Sequence, residues 1–488
     1  MILVALAMVA IIAMAALSID VVTLYLAREE AQRSADAAAL AAARVLSISG
    51  ITGTGSLTTD NGYWVTICGG TSSVASQTAQ AVGIQNGVGS IAPTTVTVTY
   101  SAGSGGSAAS NTNCSGLPAA FAVNPMVTVQ VTRASMPTFF SRIWGNTGNS
   151  VSATATAEAY NPSNSGNVGN GATGTIIPVL PRCVKPWVVP NRDPLNPAPK
   201  NGNYCNQLNG PGQCSPLVNA STGAITNEGI SLNGGGANGT VGETLWLIPD
   251  CQHNVAGTCQ FRGSNQQPEA NYYSNANSVR NNHPPSLLYV PGQVTTPVIA
   301  VPSCTQGDPY EEAIEGCDQS TNYQCGVPNA NNVVDLSRNP GAGGMTTNGV
   351  QCLTRQTDTS HPNGVNGPSG QDYLNTFGAP AAFPFQILAG SSTPLTGMAG
   401  NPISSSNSIV SLPIYDDTQN INNNQGQTTV TFVGFLQVFI NAVDAYGNVN
   451  VTILNVTGCS NGAPGNPGPV SGGVLGSSPV PIRLITPP

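Results

Sequence analysis

Charge is scarce in this sequence of 488 residues: Asp, Glu, Lys and Arg together make up 7% of it, against roughly 25% in ordinary soluble domains. Lysine occurs only at Lys185 and Lys200, and the net charge is −8. No basic cluster is available to neutralise a phosphate backbone, so nucleic acid is excluded as a partner. Histidine is limited to His253, His283 and His361, far apart in the chain. No Cys-x-x-Cys pair occurs, which removes the zinc-ribbon and thioredoxin-type readings. Also missing are a Gly-x-Ser-x-Gly elbow, a His-Glu-x-x-His helix and a phosphate-binding Gly-x-x-x-x-Gly-Lys loop. The chain is therefore expected not to be an enzyme and to need no cofactor.

What is present is glycine (56) and proline (38), with abundant Asn, Ser and Thr. That mixture suits short strands joined by many turns. The cysteine number is even: Cys68, Cys114, Cys183, Cys205, Cys214, Cys251, Cys259, Cys304, Cys317, Cys325, Cys352 and Cys459. Without metal-ligand spacing, the reading is a disulfide framework in an oxidising compartment. Cys68 with Cys114 and Cys251 with Cys259 are local pairing candidates; connectivity is otherwise open.

Residues 2–19 carry no charge and a single serine. Eighteen residues make about 27 Å of helix, close to the hydrocarbon core of a bilayer. The Ala-rich pattern then runs on without Pro or Gly until Gly50, predicting one helix over about 2–47. A cleaved signal peptide would have a shorter apolar core behind a basic start, so a retained transmembrane anchor is expected. Arg28 and Arg33 follow the span, and a bare positive-inside count would put the body in the cytoplasm. The cysteines point the other way.

Beyond the span, Ala27, Ala31, Ala35, Ala38 and Ala42 recur at spacings of three and four, with Val45 closing the stripe. Small residues permit close backbone approach. The stripe packs either against a neighbouring subunit or against this protein's own β domain. Asp20 lies at the end of the apolar run; it is either an intramembrane partner for a cation or the marker of the headgroup boundary.

The stretch from Ala16 to Tyr25, with Asp20 followed by Tyr25, and the run Ala31-Gln32-Arg33-Ser34-Ala35-Asp36-Ala37-Ala38-Ala39-Leu40-Ala41 together resemble the N-terminal segment of TadG-like proteins. These belong to the tight-adherence (Tad, Flp-type) pilus assembly systems of bacteria. The resemblance extends to residues 75–87, 127–131, 137–140 and 151–159, hence over about residues 1–160. It implies a membrane-anchored structural or assembly component, with Asp20, Tyr25 and Asp36 joining the alanine stripe in helix packing or assembly. Some larger relatives carry a metal-binding domain with Asp-x-Ser-x-Ser; Asp335-Leu336-Ser337-Arg338-Asn339 lacks the last serine, and no metal site is transferred.

Period-two alternation at 95–100 and 127–131 predicts half-buried strands. With a helix near 74–85 they would make a pilin-like α+β module. Residues 161–174 form a linker by composition, and Gly169-x-Gly171-x-x-Gly174 within it lacks the strand-helix context of a dinucleotide site. Farther on, 186–190 and 245–248 read as core strands, residues 430–453 as strand-turn-strand about Asp444–Asn448, and 479–485 as a proline-limited edge strand. The acidic cluster of Asp308, Glu311, Glu312, Glu315 and Asp318 is read as a solvated helical turn.

The expected architecture is mainly β with a long N-terminal transmembrane helix: 1–48 anchor and projecting helix, 49–160 α+β module, 161–174 linker, 175–488 disulfide-rich β region. The expected role is a component of a Tad pilus or related secretion apparatus, single-pass in a bacterial inner membrane, with its body in the periplasm or at the cell surface. Expected partners are membrane lipid, pilus or secretion-apparatus proteins and, through the helix, further copies of the chain. A membrane-tethered adhesin for glycans is the alternative from another class, an envelope hydrolase the third.

Overall fold

A computed structural model describes residues 2–49, 51–53, 64–102, 111–117, 121, 125–138, 145, 148–159, 179–181, 183–196, 214–221, 223–227, 239–249, 285–292, 294, 308–316, 323, 332–335, 338, 344–356, 370–376, 385–394, 396–403, 405–418, 427–444, 447–459, 474–476, 480 and 482–485. The chain divides into two units. The first comprises Met1–Leu46, Asn61–Ala159 and Ile482–Pro488; the second comprises Ser47–Asp60 and Tyr160–Pro481.

In the first unit, helix α1 covers Ile2–Ile48 without interruption, as an alanine-rich run lacking Pro and Gly should. Helix α2, Val74–Gln85, ends at Asn86, whose N–H bonds the Val82 carbonyl. The sheet is antiparallel. Strand β1 is Thr95–Ala102, β2 is Pro125–Met136 and β3 is Asn149–Ala159, and the C-terminal strand Ile482–Ile485 pairs with β3 as the fourth member.

Register turns the alternation into two faces. Val96, Val131 and Ala153 align across the strands, as do Val98, Val129 and Ala155. On the opposite side run rows of Thr95, Thr132 and Ser152, then Thr97, Gln130 and Thr154, then Thr99, Thr128 and Thr156. The apolar side meets the helices: a side chain at Gly83 would collide with Val96 at 3.0 Å and would lie 3.7 Å from Ala38. At one end, Trp64 and Tyr100 both pack edge-on against Phe121, at 5.3 and 6.2 Å. The Cys68–Cys114 disulfide staples the same corner, its Cα atoms 5.5 Å apart.

The second unit is built on a closed barrel. Its strands are β4 (Trp187–Pro190), β5 (Thr244–Pro249), β6 (Ser286–Pro291), β7 (Ile409–Tyr415), β8 (Phe432–Val443) and β9 (Val449–Gly458). Around the barrel the order is β7-β8-β9-β5-β6-β4. The β5–β6 pair and the closing β4–β7 pair are parallel; the others are antiparallel. Bulges at Gln437/Val438, Ile440/Ala442 and Ile414/Tyr415 bend the strands for closure. Gly434 faces Gly458 in the ladder, and a Cβ on Gly458 would lie 2.0 Å from the Gly223 carbonyl oxygen, so only glycine fits there.

Both faces of β8 are buried. Leu436, Val438 and Ile440 belong to a core that also takes in Tyr310 and Ile314 of helix α3 (Pro309–Glu315) and Val350 and Leu353 of helix α4 (Met345–Thr354). Phe432 and Phe435 pack with Val188, Val290 and Tyr415. Phe439 packs with Ile48, Ile387 and Leu454.

Three expectations are corrected. The β body is a closed barrel, which short alternating strands do not announce. The pilin-like module reduces to a coarser description, two helices with a four-stranded antiparallel sheet. The C-terminal strand, grouped by sequence with 175–488, completes the first unit's sheet instead, because Ile482, Leu484 and their neighbours find open backbone partners along Thr156–Ala159. The disulfide-rich expectation is shown only in part: Cys68–Cys114 is the bridge with both halves described. Cys183, Cys214, Cys352 and Cys459 are also disulfide-bonded, while Cys205, Cys251, Cys259, Cys304, Cys317 and Cys325 lie outside the described residues.

Candidate membrane anchor and helix-packing face

Helix α1 is long and apolar enough to cross a membrane by length and composition. Ile2, Leu3, Val4, Met8, Ile11, Ile12 and Met14 are exposed, and they point in every direction around the axis. Leu17, Ile19, Val21, Val22, Tyr25 and Leu26 continue the exposed apolar surface at 49–63% of their area. Full burial of such a side chain is worth about 1.5–3 kcal/mol, so leaving these six half in water would forfeit roughly 5 kcal/mol. The hydroxyls in this stretch are satisfied within the helix: Ser18 Oγ donates to the Ala15 carbonyl at 2.7 Å and Thr23 Oγ1 to the Asp20 carbonyl at 2.9 Å. Neither of these two hydroxyls needs water as a partner.

One face behaves differently. Ala27, Ala31, Ala35, Ala38 and Ala42 are buried within the chain itself. Ser34 Oγ donates to the Gly83 carbonyl at 3.0 Å, and Gln32 Nε2 to the Thr154 carbonyl at 3.3 Å. The small-residue stripe thus lies against its own fold, the second of the two packings open from sequence. Asp36 sits at the edge of this face and accepts from Gln32 Nε2 at 2.8 Å. Asp20 is buried and partnered, whereas Tyr25 projects outward. Gly89 donates its N–H to Glu30 Oε2 at 2.6 Å, tying the turn after α2 to α1. That turn needs glycine: Gly89 has φ +62°, and a Cβ would press on Met136 Cε at 2.9 Å. The tie was not legible in the sequence, because it joins residues 59 positions apart.

Among the described residues of the second unit, Lys185, Asp193 and Glu243 are buried ionisable groups. The Lys185 ammonium donates to the carbonyls of Ile314 and Gly316, each at 2.7 Å, at the end of α3, and burial pulls its pKa down to about 7. Among the described residues no donor reaches the carboxylate oxygens of Glu243. Burial first, then the adjoining Asp193, pushes its pKa up to about 10. Burial raises the Asp193 carboxyl as well. Asp193 accepts from the Leu195 N–H, Asn227 Nδ2 and Thr240 Oγ1 at 3.0, 3.2 and 3.4 Å. Both carboxyls are wholly buried, out of reach of a substrate.

Of the acidic cluster, Asp308 caps α3 by accepting the Tyr310 N–H at 2.7 Å and pairs with Arg338. Glu315 is pushed up to about 7 by burial and by Glu311 and Glu312. Asp318 lies outside the described residues, as does the 161–174 linker with its glycines. Among the described residues no group of three or more His, Cys, Asp or Glu is placed to hold a metal ion. Asp335 is engaged by Arg338 at 3.2 Å.

The family described as Flp pilus-assembly, TadE/G-like, matches residues 1–45, which hold the exposed apolar run and the covered stripe. No curated protein matches the chain, and no solved structure does.

Proposed function

We propose that this chain is a non-enzymatic, single-pass component of a Tad-type pilus or related secretion apparatus, held in a bacterial inner membrane by α1 with both β units on the extracytoplasmic side. One observation carries the reading: the segment matching the TadE/G-like family, residues 1–45, coincides with the helix whose apolar side chains are exposed as far as Leu26. The outward orientation is supported by the cysteines, since every described one is disulfide-bonded and such bonds persist outside the reducing cytoplasm. Its partners are lipid and other proteins of the apparatus, with self-association confined to the lipid-facing part of α1. The test is fractionation of the native chain with thiol counting. Retention in inner-membrane vesicles through alkaline extraction, with blocked thiols and co-purifying apparatus proteins, is expected. Recovery as a soluble species with twelve free thiols would overturn it.

A second reading, a membrane-tethered glycan-binding module, is favoured by the neutral hydroxyl and amide rows on the outward sheet face, of which Thr95, Thr97, Gln130, Ser152 and Thr154 are exposed. Saturable polysaccharide binding abolished by Thr97→Val with Thr154→Val would support that reading over pure assembly.

A further inference from the structure

We infer that the bilayer boundary on α1 lies at Leu26–Arg28, so that the first unit is seated partly in the membrane: the protein covers Ala16 and Asp20 at hydrocarbon depth, and Ile91 rests in the headgroup layer. This deepens the anchor reading and rests on it.

Two observations carry the inference. Over residues 16–26 the helix is apolar and exposed on one side but covered on the other. Leu17, Ile19, Val21, Val22 and Leu26 are open, while Ala16 and Asp20 are 7% and 4% exposed. A boundary placed before Leu17 would leave that open side in water. Placed at Leu26, it puts Asp20 about 9 Å and Ala16 about 15 Å into the apolar zone, at 1.5 Å per residue. A carboxylate at such depth is tolerated when it is shielded and partnered, and Asp20 is both. Ala16, Asp20, Ala27 and Ala31 share one face, so the covered stripe is continuous from the soluble part of α1 into the membrane part.

The second observation is the Gly89–Glu30 bond at 2.6 Å. Glu30 lies about 6 Å beyond Leu26 along the axis, and a headgroup layer is about 5–7 Å deep. The turn tied to Glu30 therefore carries Ile91, 55% exposed, alongside that layer. Tyr25 projects from α1 at the adjoining level, where interfacial aromatics collect. Arg28 and Glu29 follow immediately, supplying the charge expected at the polar edge. The open side of α1 and the Ile91 turn thus form one surface, and its occupant is phospholipid.

The experiment places an environment-sensitive fluorescent amino acid singly at Met8, Val22, Ile91 or Gln130 of the full chain, in phosphatidylethanolamine/phosphatidylglycerol vesicles. Quenchers are carried either on the acyl chains or at the headgroup. Met8 reports the anchor, and Gln130, on the outward sheet face, reports water. Loss of Val22 fluorescence to acyl-chain quencher as deep as at Met8, with Ile91 losing signal to headgroup quencher alone, is expected. If Met8 is quenched while Val22 and Ile91 behave like Gln130, the boundary lies before Leu17 and the inference fails while the anchor stands. If Met8 also behaves like Gln130, the anchor reading falls and this inference with it.

Discussion

The two units solve the same problem, burying a β-sheet, in opposite ways. The first unit's sheet is covered on one side, so its strands alternate: Val98 is buried while Thr97 on the neighbouring position is exposed. The barrel covers its strands inside and out, so consecutive residues such as Phe435 and Leu436 are both fully buried and no alternation survives. Where a sheet has one wet face, each strand declares its orientation in sequence. Where both faces are dry, a strand declares only that it is apolar.

The comparison is broken or sharpened by substitution. The largest effect is expected at the first unit's staple. Removing Cys68–Cys114, with a separation of 46 residues, by Cys68→Ala with Cys114→Ala should cost about 4 kcal/mol by loop-closure entropy. Hydrogen exchange in β1 and β2 would accelerate accordingly, with β8 and β9 unaffected if the two units are energetically independent.

Next come neighbouring residues on opposite faces of the barrel. Phe435→Ala and Leu436→Ala should each cost about 3 kcal/mol, read from the denaturant midpoint of the second unit. A cost at only one of them would mean that one barrel face is wetter than the packing indicates.

A proton supplies the third test. Glu243 has a folded pKa raised to about 10 from an ordinary 4.5, so the native state keeps a proton that the unfolded chain gives up above pH 4.5. Stability of the second unit should therefore fall as pH rises through that window, by up to about 1.4 kcal/mol per pH unit. Glu243→Gln removes the titrating group and should flatten the slope between pH 6 and 8, measured by chemical denaturation at each pH. The first unit should show no matching change on this substitution.

The smallest pair probes the alternating sheet: Val98→Ala should cost about 1.5 kcal/mol by lost packing, and Thr97→Ala no more than about 0.5 kcal/mol. Equal costs would show that the outward threonine face is covered in solution.

Much of the first unit was legible. The 2–47 helix, the 74–85 helix and the strands at 95–100, 127–131 and 151–159 all have counterparts, because Pro and Gly punctuate them and one wet face preserves the period. The Cys68–Cys114 pairing was legible as a local guess and is present. In the second unit β4, β5, β8 and β9 were legible as apolar segments, but closure was not. Closing the barrel depends on the parallel pairing of Ile414 with Val189, residues 225 positions apart, and such pairing leaves no local trace. The anchor's apolar run was plain, whereas the choice between two packings for the alanine stripe was open until Ala31, Ala35 and Ala38 were found covered by their own fold.

Composition and local order alone determined the long apolar helix, the scarcity of charge, the disulfide chemistry and the strand-rich body. These follow from propensity and solvation, which act over a few neighbouring residues. Tertiary structure alone decided the barrel, the return of the C-terminal strand to the first sheet, the burial of Asp20 and the tie from Gly89 to Glu30. Each of those joins residues remote along the chain, and which remote partners meet is settled by the total burial the whole chain achieves.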